Sequence, residues 1–268
     1  MLVYPDINPV AFEIGPLLIR WYGISYVAGI LAAWWLLRRR AQPESTGWTQ
    51  EQIADLVFYA TLGIIIGGRL GSVLFYNLPY YLDHPLSVLK IYEGGMSFHG
   101  GLIGVLIAIG WYGHSIGKGF FAVSDFLAPV APLGLGFGRV ANFINGELWG
   151  APSDLPWAMI FPDPGAGGIP RHPSQLYEAV LEGLVLFLIL WFFSARPRPT
   201  MAVTGLFLLG YGVFRFAIEF VRMPDAHIGY LAFGWVTMGQ VLSLPMMIIG
   251  AVLLGLAYRF NNNVKRAA

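Results

Sequence analysis

Between Gly138 and Gly150 the chain reads GRVANFINGELWG, which sets Arg139, Asn142 and Glu147 at the end of an apolar run beginning near Phe120. An ionisable group at such depth in a membrane is costly to hold and marks a functional-site candidate whose partner has to be named. On a helix Arg139 and Asn142 share a face, and Glu147 is the obvious carboxylate to pair with the arginine. A second stretch, YGVFRFAIEFVRMPD, places Arg215, Glu219 and Arg222 at i, i+4 and i+7, one stripe over two turns. Arg139, Arg215 and Arg222 fall at one depth, where three guanidinium groups repel unless an anion joins them. Lipid phosphate is the anion a membrane always offers, and the planar donor fork suits it. On spacing alone, an intramembrane ion-pair ladder that only holds helices together stands equal to that reading.

The motif GGMSFHGGLIG sets His99 between glycine pairs, with Gly100 and Gly101 directly after it. A histidine at the start of a span is commonly a polar cap. Here the glycines let backbone or substrate come close, and a neutral imidazole can accept a thiol or hydroxyl proton. In RHPSQLYEA, Gln175 and Glu178 either line a polar cavity or simply lead a helix into the membrane. Tyr22 and Tyr26 of WYGISY are interfacial-belt residues or hydrogen-bond donors to a lipid. Arg69, in GGRLGS, reads as a structural arginine among small residues, with a lipid-phosphate contact as the alternative. His99, His172 and His227 have no paired metal-ligand spacing, so neither a metal nor another cofactor is expected. Ser97 and Ser174 lack a nucleophile-elbow sequence, and with no cysteine the chain has no thiolate of its own.

The elements that must position these groups are membrane helices. Of 268 residues 56% are hydrophobic and 12% charged, and the mean hydropathy is +0.63, far from a soluble average. A net charge of +1 with no basic stripe excludes a nucleic-acid surface. The reading is an all-α polytopic bundle forming a single membrane domain, residues 1–268, with seven transmembrane helices. The spans fall at about 17–37, 53–76, 98–114, 120–143, 174–193, 203–221 and 234–258. Residues 77–97, with Pro79, Pro85 and several tyrosines, form an interfacial arm. Residues 145–173, rich in proline and glycine, form a small head outside the membrane. The N-terminus lacks the basic start of a cleavable signal peptide, so the first span is expected to stay.

Arg38, Arg39, Arg40, Lys118, Arg196, Arg198, Arg259, Lys265 and Arg266 share one side, and only Lys90 and Arg171 fall clearly on the other. The positive-inside rule puts the first group in the cytoplasm, so the N-terminus, arm and head face outward and the C-terminus inward.

Together GRVANFINGELWG, MSFHGGLIG, RHPSQLYEA and YGVFRFAIEFVRMPDA resemble the prolipoprotein diacylglyceryl transferases. The likeness extends through WYGISY, GGRLGSVLFYN and VSDFLAP to MGQVLSLPM near the end. It implies a bacterial inner-membrane enzyme that moves the diacylglyceryl group of phosphatidylglycerol to the lipobox cysteine of a preprolipoprotein signal peptide, releasing glycerol phosphate. By the same resemblance Arg139 and Arg215 handle the phosphate while Glu219 and Glu147 orient them. Asn142 bonds a glycerol hydroxyl or ester oxygen, and Tyr22 assists at the headgroup. Arg222 guards the outer opening, and Gly150, Gly100 and Gly101 belong to the substrate side.

Attack at a saturated carbon forms no oxyanion, so the catalyst must assist the leaving phosphate and free the thiol proton. Arginines meet the first demand. For the second, His99 as base and a purely electrostatic effect of Arg139 and Arg215 on the thiol both stand. Two other classes compete with the transferase. An anionic-lipid transporter predicts polar groups in both halves of the bilayer, and a non-catalytic scaffold predicts purely structural ion pairs. An intramembrane protease would need a Ser–His, paired-Asp or zinc arrangement, which the sequence lacks.

Overall fold

The computed structural model describes residues 2–5, 7–15, 17–41, 47–224 and 228–267. His227 lies outside them. The chain is mostly helical. In order it forms β1 (Leu2–Val3), β2 (Val10–Ile14), β3 (Leu17–Arg20), α1 (Trp21–Arg40), α2 (Gln50–Phe75), α3 (Leu78–Asp83), α4 (Phe98–Ser115), α5 (Phe120–Leu127) and α6 (Ala131–Ile144). Then come β4 (Met159–Ile160), β5 (Pro170–Arg171), α7 (Ser174–Phe193), α8 (Ala202–Ile218) and α9 (Met238–Ala267). Among the described residues α2, α7 and α9 are each long and apolar enough to cross a bilayer, and α4 with α5 qualifies as a pair bent by 120°.

Several boundaries differ from the sequence expectation. The first apolar run does not begin as helix. Leu17–Arg20 pairs antiparallel with Val10–Ile14 across Gly15, whose φ of 58° suits a tight turn, and the helix starts at Trp21. The run 120–143 is two helices. Pro129 and Pro132 supply no backbone N–H and crowd the preceding turn, so α5 stops at Leu127 and α6 starts afresh at Ala131. The sixth run stops at Ile218, which puts Glu219 at the helix end and Arg222 beyond it. The seventh begins at Met238, after a turn in which Phe233 and Gly234 both have positive φ.

The chain divides into two compact units, Trp34–Ser124 and the combination of Met1–Ala33 with Asp125–Ala268. In the first, α2 packs on α4 through glycines. A Cβ on Gly67 would stand 2.3 Å from the Gly100 carbonyl oxygen, and one on Gly71 would stand 2.7 Å from Gly100 Cα. Such close approach lets dispersion act along the whole contact, as in small-xxx-small membrane pairs. The segment after α2 is held by Arg69, which is buried. Its guanidinium donates to the carbonyls of Ser87 (2.6 Å), Val88 (2.9 Å), Lys90 (3.1 Å) and Gly94. Arg69 is therefore the structural arginine its small neighbours suggest.

In the second unit Gly136 of α6 meets Gly183 of α7 backbone to backbone, a Cβ on Gly136 standing 3.0 Å from Gly183 Cα. Helices α8 and α9 meet at Gly205 and Gly250 in the same manner. A three-stranded sheet in the order β1-β4-β5 organises the segment between α6 and α7. Tyr4 packs there on Phe161 and Ala166. Its hydroxyl donates to the Phe143 and Ile144 carbonyls at 2.6 and 2.7 Å, which satisfies oxygens left over at the end of α6.

Candidate active site

Four segments of the second unit converge on one cluster. Helix α6 brings Arg139 and Asn142, α7 brings Gln175, Glu178 and Glu182, the end of α8 brings Arg215, Glu219 and Arg222, and the start of α9 brings Thr237 and Gly239. Glu178 is the hub. Its Oε2 lies 2.5 Å from Arg139 Nε and 3.2 Å from Arg215 Nη1, and its Oε1 lies 3.7 Å from Arg222 Nε. Glu182, one turn on, faces Arg139 at 4.0 Å and Arg215 at 3.9 Å. Arg215 pairs with Glu219, which also meets Arg222 at 3.4 Å.

The two arginine clusters expected from sequence are therefore one. Arg139 pairs with Glu178 and Glu182, while Glu147 accepts from Asn142 (2.8 Å) and Asn145 (3.1 Å). The reason is local. Asn145 ends α6, the chain turns at Gly146 with a φ of 68°, and Glu147 folds back over the helix end toward Asn142. Glu147 is tied to α7 as well, because Gln175 Nε2 donates to its carbonyl at 2.6 Å.

The local fold explains why the carboxylates stand where they do. Glu178 and Glu182 are four apart in α7, which opens into π-helical turns over Ala179–Val185. Such turns are rare and recur at functional sites. The Gly136–Gly183 contact then presses this face against Arg139. Glu219 lies at the C-terminal end of α8, an unfavourable place for a negative charge. It is compensated by α9, at whose N-terminus Thr237 and Gln240 form a reciprocal cap with distances of 3.0 and 3.2 Å. The Thr237 hydroxyl donates to Glu219 Oε2 at 2.5 Å. Gly239 leaves room for that carboxylate, since a Cβ there would stand 2.4 Å from its carbon. Glu219 thus sits at the positive end of a second helix.

Exposure orders the cluster front to back. The side chains of Glu178, Glu182 and Glu219 are 1%, 0% and 3% exposed, and those of Arg139, Arg215 and Arg222 are 21%, 12% and 12% exposed. The carboxylates form the floor and the guanidinium groups the accessible face. A recess of about 30 Å³, lined by Arg215, Glu219, Arg222, Thr237 and Gly239 among others, opens at its edge. Both oxygens of Glu182 and Oε1 of Glu178 are buried and accept no hydrogen bond. Tyr26 lies within the field of Arg139 and Glu147, and Tyr22 joins it through paired hydroxyls at 3.3 Å. Tyr211 of α8, one turn before Arg215, feels all four of Arg139, Arg215, Glu178 and Glu182.

The remaining expected residues are placed differently. Gly150 is where three segments cross. Its N–H donates to the His172 carbonyl at 2.9 Å, it bridges to Arg222, and a Cβ there would stand 2.5 Å from the Val221 carbonyl. His99 lies in the other unit, exposed in the first turn of α4 with its ring edge-on to Phe98. Gly100 and Gly101 are buried there, Gly100 against Gly67 and Gly71 and Gly101 over Ile64. Among the described residues no group of three or more His, Cys, Asp or Glu side chains is arranged to hold a metal.

Sequence reasoning missed Glu182, Tyr211, Thr237 and Gly239, and took Glu178 only as a cavity lining. The signal for the α7 pair was present. Gln175, Glu178 and Glu182 are polar at spacings of three and four in an otherwise apolar span, the same stripe that exposed Arg215 and Glu219.

Comparison with known proteins shows the family. Residues 9–256 match the family described as Prolipoprotein diacylglyceryl transferase. A relative from Methylococcus capsulatus, named phosphatidylglycerol–prolipoprotein diacylglyceryl transferase, is 64% identical over 259 residues, covering 96% of this chain and 98% of its own. Proteins of the same name from Azotobacter vinelandii and Solidesulfovibrio magneticus are 60% and 58% identical, covering 97% and 95% of this chain and 97% and 96% of their own. The chain belongs to the prolipoprotein diacylglyceryl transferase family.

Proposed function

We propose that this chain transfers the diacylglyceryl group of phosphatidylglycerol to a cysteine thiol of a prolipoprotein, forming a thioether and releasing glycerol phosphate. The observation that carries this reading is the set of three guanidinium groups converging on a single carboxylate oxygen pair, with their accessible face turned outward. It is the charge arrangement that a departing phosphate monoester needs, in a chain of the matching family.

In this reading the sulfur attacks the glyceryl carbon, the bond from that carbon to the phosphate ester oxygen breaks, and Arg139 and Arg215 take the growing charge on the departing oxygen, which stays on phosphorus. Glu219, fixed by Thr237 and the start of α9, orients Arg215 and Arg222. Asn142, itself oriented by Glu147, bonds a glycerol hydroxyl or ester oxygen, and the Tyr22–Tyr26 pair meets the headgroup. Arg222 guards the opening, and Gly150 keeps it next to the cluster. The thiol proton goes to His99, or the arginine field alone lowers the thiol pKa; Gly100 and Gly101, directly after His99, belong to the substrate side. The acceptor is the lipobox cysteine of a signal peptide.

The same reading places the protein in the bacterial inner membrane with seven spans. Its N-terminus, arm (77–97) and head (145–173) face the periplasm, and its C-terminus faces the cytoplasm. The arginine distribution supports that orientation. An anionic-lipid transporter is not favoured, because the polar cluster is confined to one end of α6, α7 and α8.

The test is to mix purified protein with phosphatidylglycerol and a lipobox peptide and to follow peptide mass and glycerol phosphate together. Equal amounts of thioether peptide and glycerol phosphate are expected, and none with a peptide whose cysteine is replaced by serine. Absence of product from folded protein would overturn the reading. His99→Gln separates the two proton routes, since full activity would remove the base.

A further inference from the structure

The anion that the three arginines require is already present in the protein. Glu178 touches all three, through Oε2 to Arg139 (2.5 Å) and Arg215 (3.2 Å) and through Oε1 to Arg222 (3.7 Å). A carboxylate carries the same single negative charge as a phosphodiester and offers the guanidinium fork the same pair of oxygens. Arg139 and Arg215 already share Glu178, and Arg215 and Arg222 share Glu219, so each guanidinium group has a carboxylate partner as the cluster stands. A phosphate that joined Arg139 and Arg215 without displacing Glu178 would stand as a second negative charge against the same buried carboxylate.

We propose that Glu178 is the resident counter-anion of the arginine cluster, which the phosphate of the substrate displaces from Arg139 and Arg215 and which returns to expel the product. This rests on the transferase reading and deepens it by naming the group that phosphate must replace. Oε1, which accepts no hydrogen bond, keeps Glu178 near Arg222 while Oε2 gives up its two partners. The π-helical turns that begin at Ala179 provide a backbone able to accommodate that shift. Glu182 does not fill the role. It lies 3.9–4.0 Å from the same arginines, fully buried behind Glu178. Glu178 is accordingly a positioning residue, acting on the substrate through the arginines.

The experiment measures binding of glycerol phosphate to purified protein, and separately of phosphatidylglycerol in nanodiscs, by titration without peptide, so that no turnover is needed. Glu178→Gln removes the carboxylate that Arg139 and Arg215 share at 2.5 and 3.2 Å. It is expected to tighten both ligands tenfold or more, and in turnover to lower KM and kcat together because product is retained. A residue that merely braces the helices would do the opposite, raising KM when removed. Should the glutamine variant not fold, Glu178→Asp keeps the charge but cannot reach Arg139 and Arg215 at once, and a smaller tightening is expected. Glu182→Gln is expected not to tighten either ligand. Unchanged or weaker binding in the folded Glu178 variants, or equal tightening by Glu182→Gln, would overturn the proposal. Failure of transfer by the wild-type protein would instead strike the transferase reading and leave these binding results to be judged on their own.

Discussion

Glu219 shows how far a single side chain depends on its setting. It stands at the wrong end of one helix and the right end of another, and the space it fills exists because position 239 has no side chain. Gly239→Ala puts a methyl group within 2.4–2.7 Å of the carboxylate atoms. The carboxylate must then move, and Arg215 and Arg222 with it. Misplacement of a catalytic group by about 1 Å costs up to about 10²-fold in rate, so kcat should fall by about tenfold to a hundredfold while the melting temperature changes little. Wild-type turnover from this variant would show that Glu219 does not need its seat at α9. The arginines and Glu219 were legible in sequence because a charge inside an apolar run is conspicuous at helical spacing. Glu178 was read only as a cavity lining or a membrane entrance because it follows a proline-led helix start, and Glu182 was passed over although the two share a polar stripe with Gln175. Thr237 and Gly239 carry no charge and became meaningful only once α8 and α9 were side by side.

At the level of helices and loops, α7 begins and stops where expected, at Ser174 and Phe193. The failures occur where local backbone chemistry overrides hydropathy. Leu17–Arg20 is apolar enough for a helix yet pairs as a strand, and two prolines split the run that follows Phe120. Helices α2 and α4 test the packing account. Gly67→Leu forces a side chain into the Gly100 backbone, where overpacking costs about 1–3 kcal/mol or more. A lower melting temperature is expected, with activity lost through unfolding rather than through KM. An unchanged melting temperature would deny the close contact.

The segment between α6 and α7 gives a pH prediction. Burial holds the His172 imidazole below its ordinary pKa. The Trp157 indole donates to the Tyr177 hydroxyl at 2.7 Å, and that hydroxyl lies 3.3 Å from His172 Nδ1, an arrangement in which the neutral ring accepts. The unfolded state then binds the proton more readily than the folded one. Stability is present above about pH 6.5 and declines as pH falls below it. His172→Asn should flatten that decline in melting experiments between pH 7 and 5; an identical slope would remove His172 as its source.

For the whole molecule, composition alone established a membrane protein, and the order of its motifs established the family. Neither reveals that α6, α7 and α8 meet in one charge-balanced cluster, because that depends on which helix faces come together. The cluster puts carboxylates in the floor and guanidinium groups at the opening, so its function reduces to whether those guanidinium groups carry the leaving phosphate. The most direct measurement is single-turnover release of glycerol phosphate from phosphatidylglycerol with saturating lipobox peptide, for wild type and for Arg139→Lys. Lysine keeps the charge but loses the planar fork that holds Glu178 and, in its place, the phosphate. The rate should drop by about 10²–10³-fold, as on removal of one preorganised donor. A folded Arg139→Lys protein that releases glycerol phosphate at the wild-type rate would contradict the account.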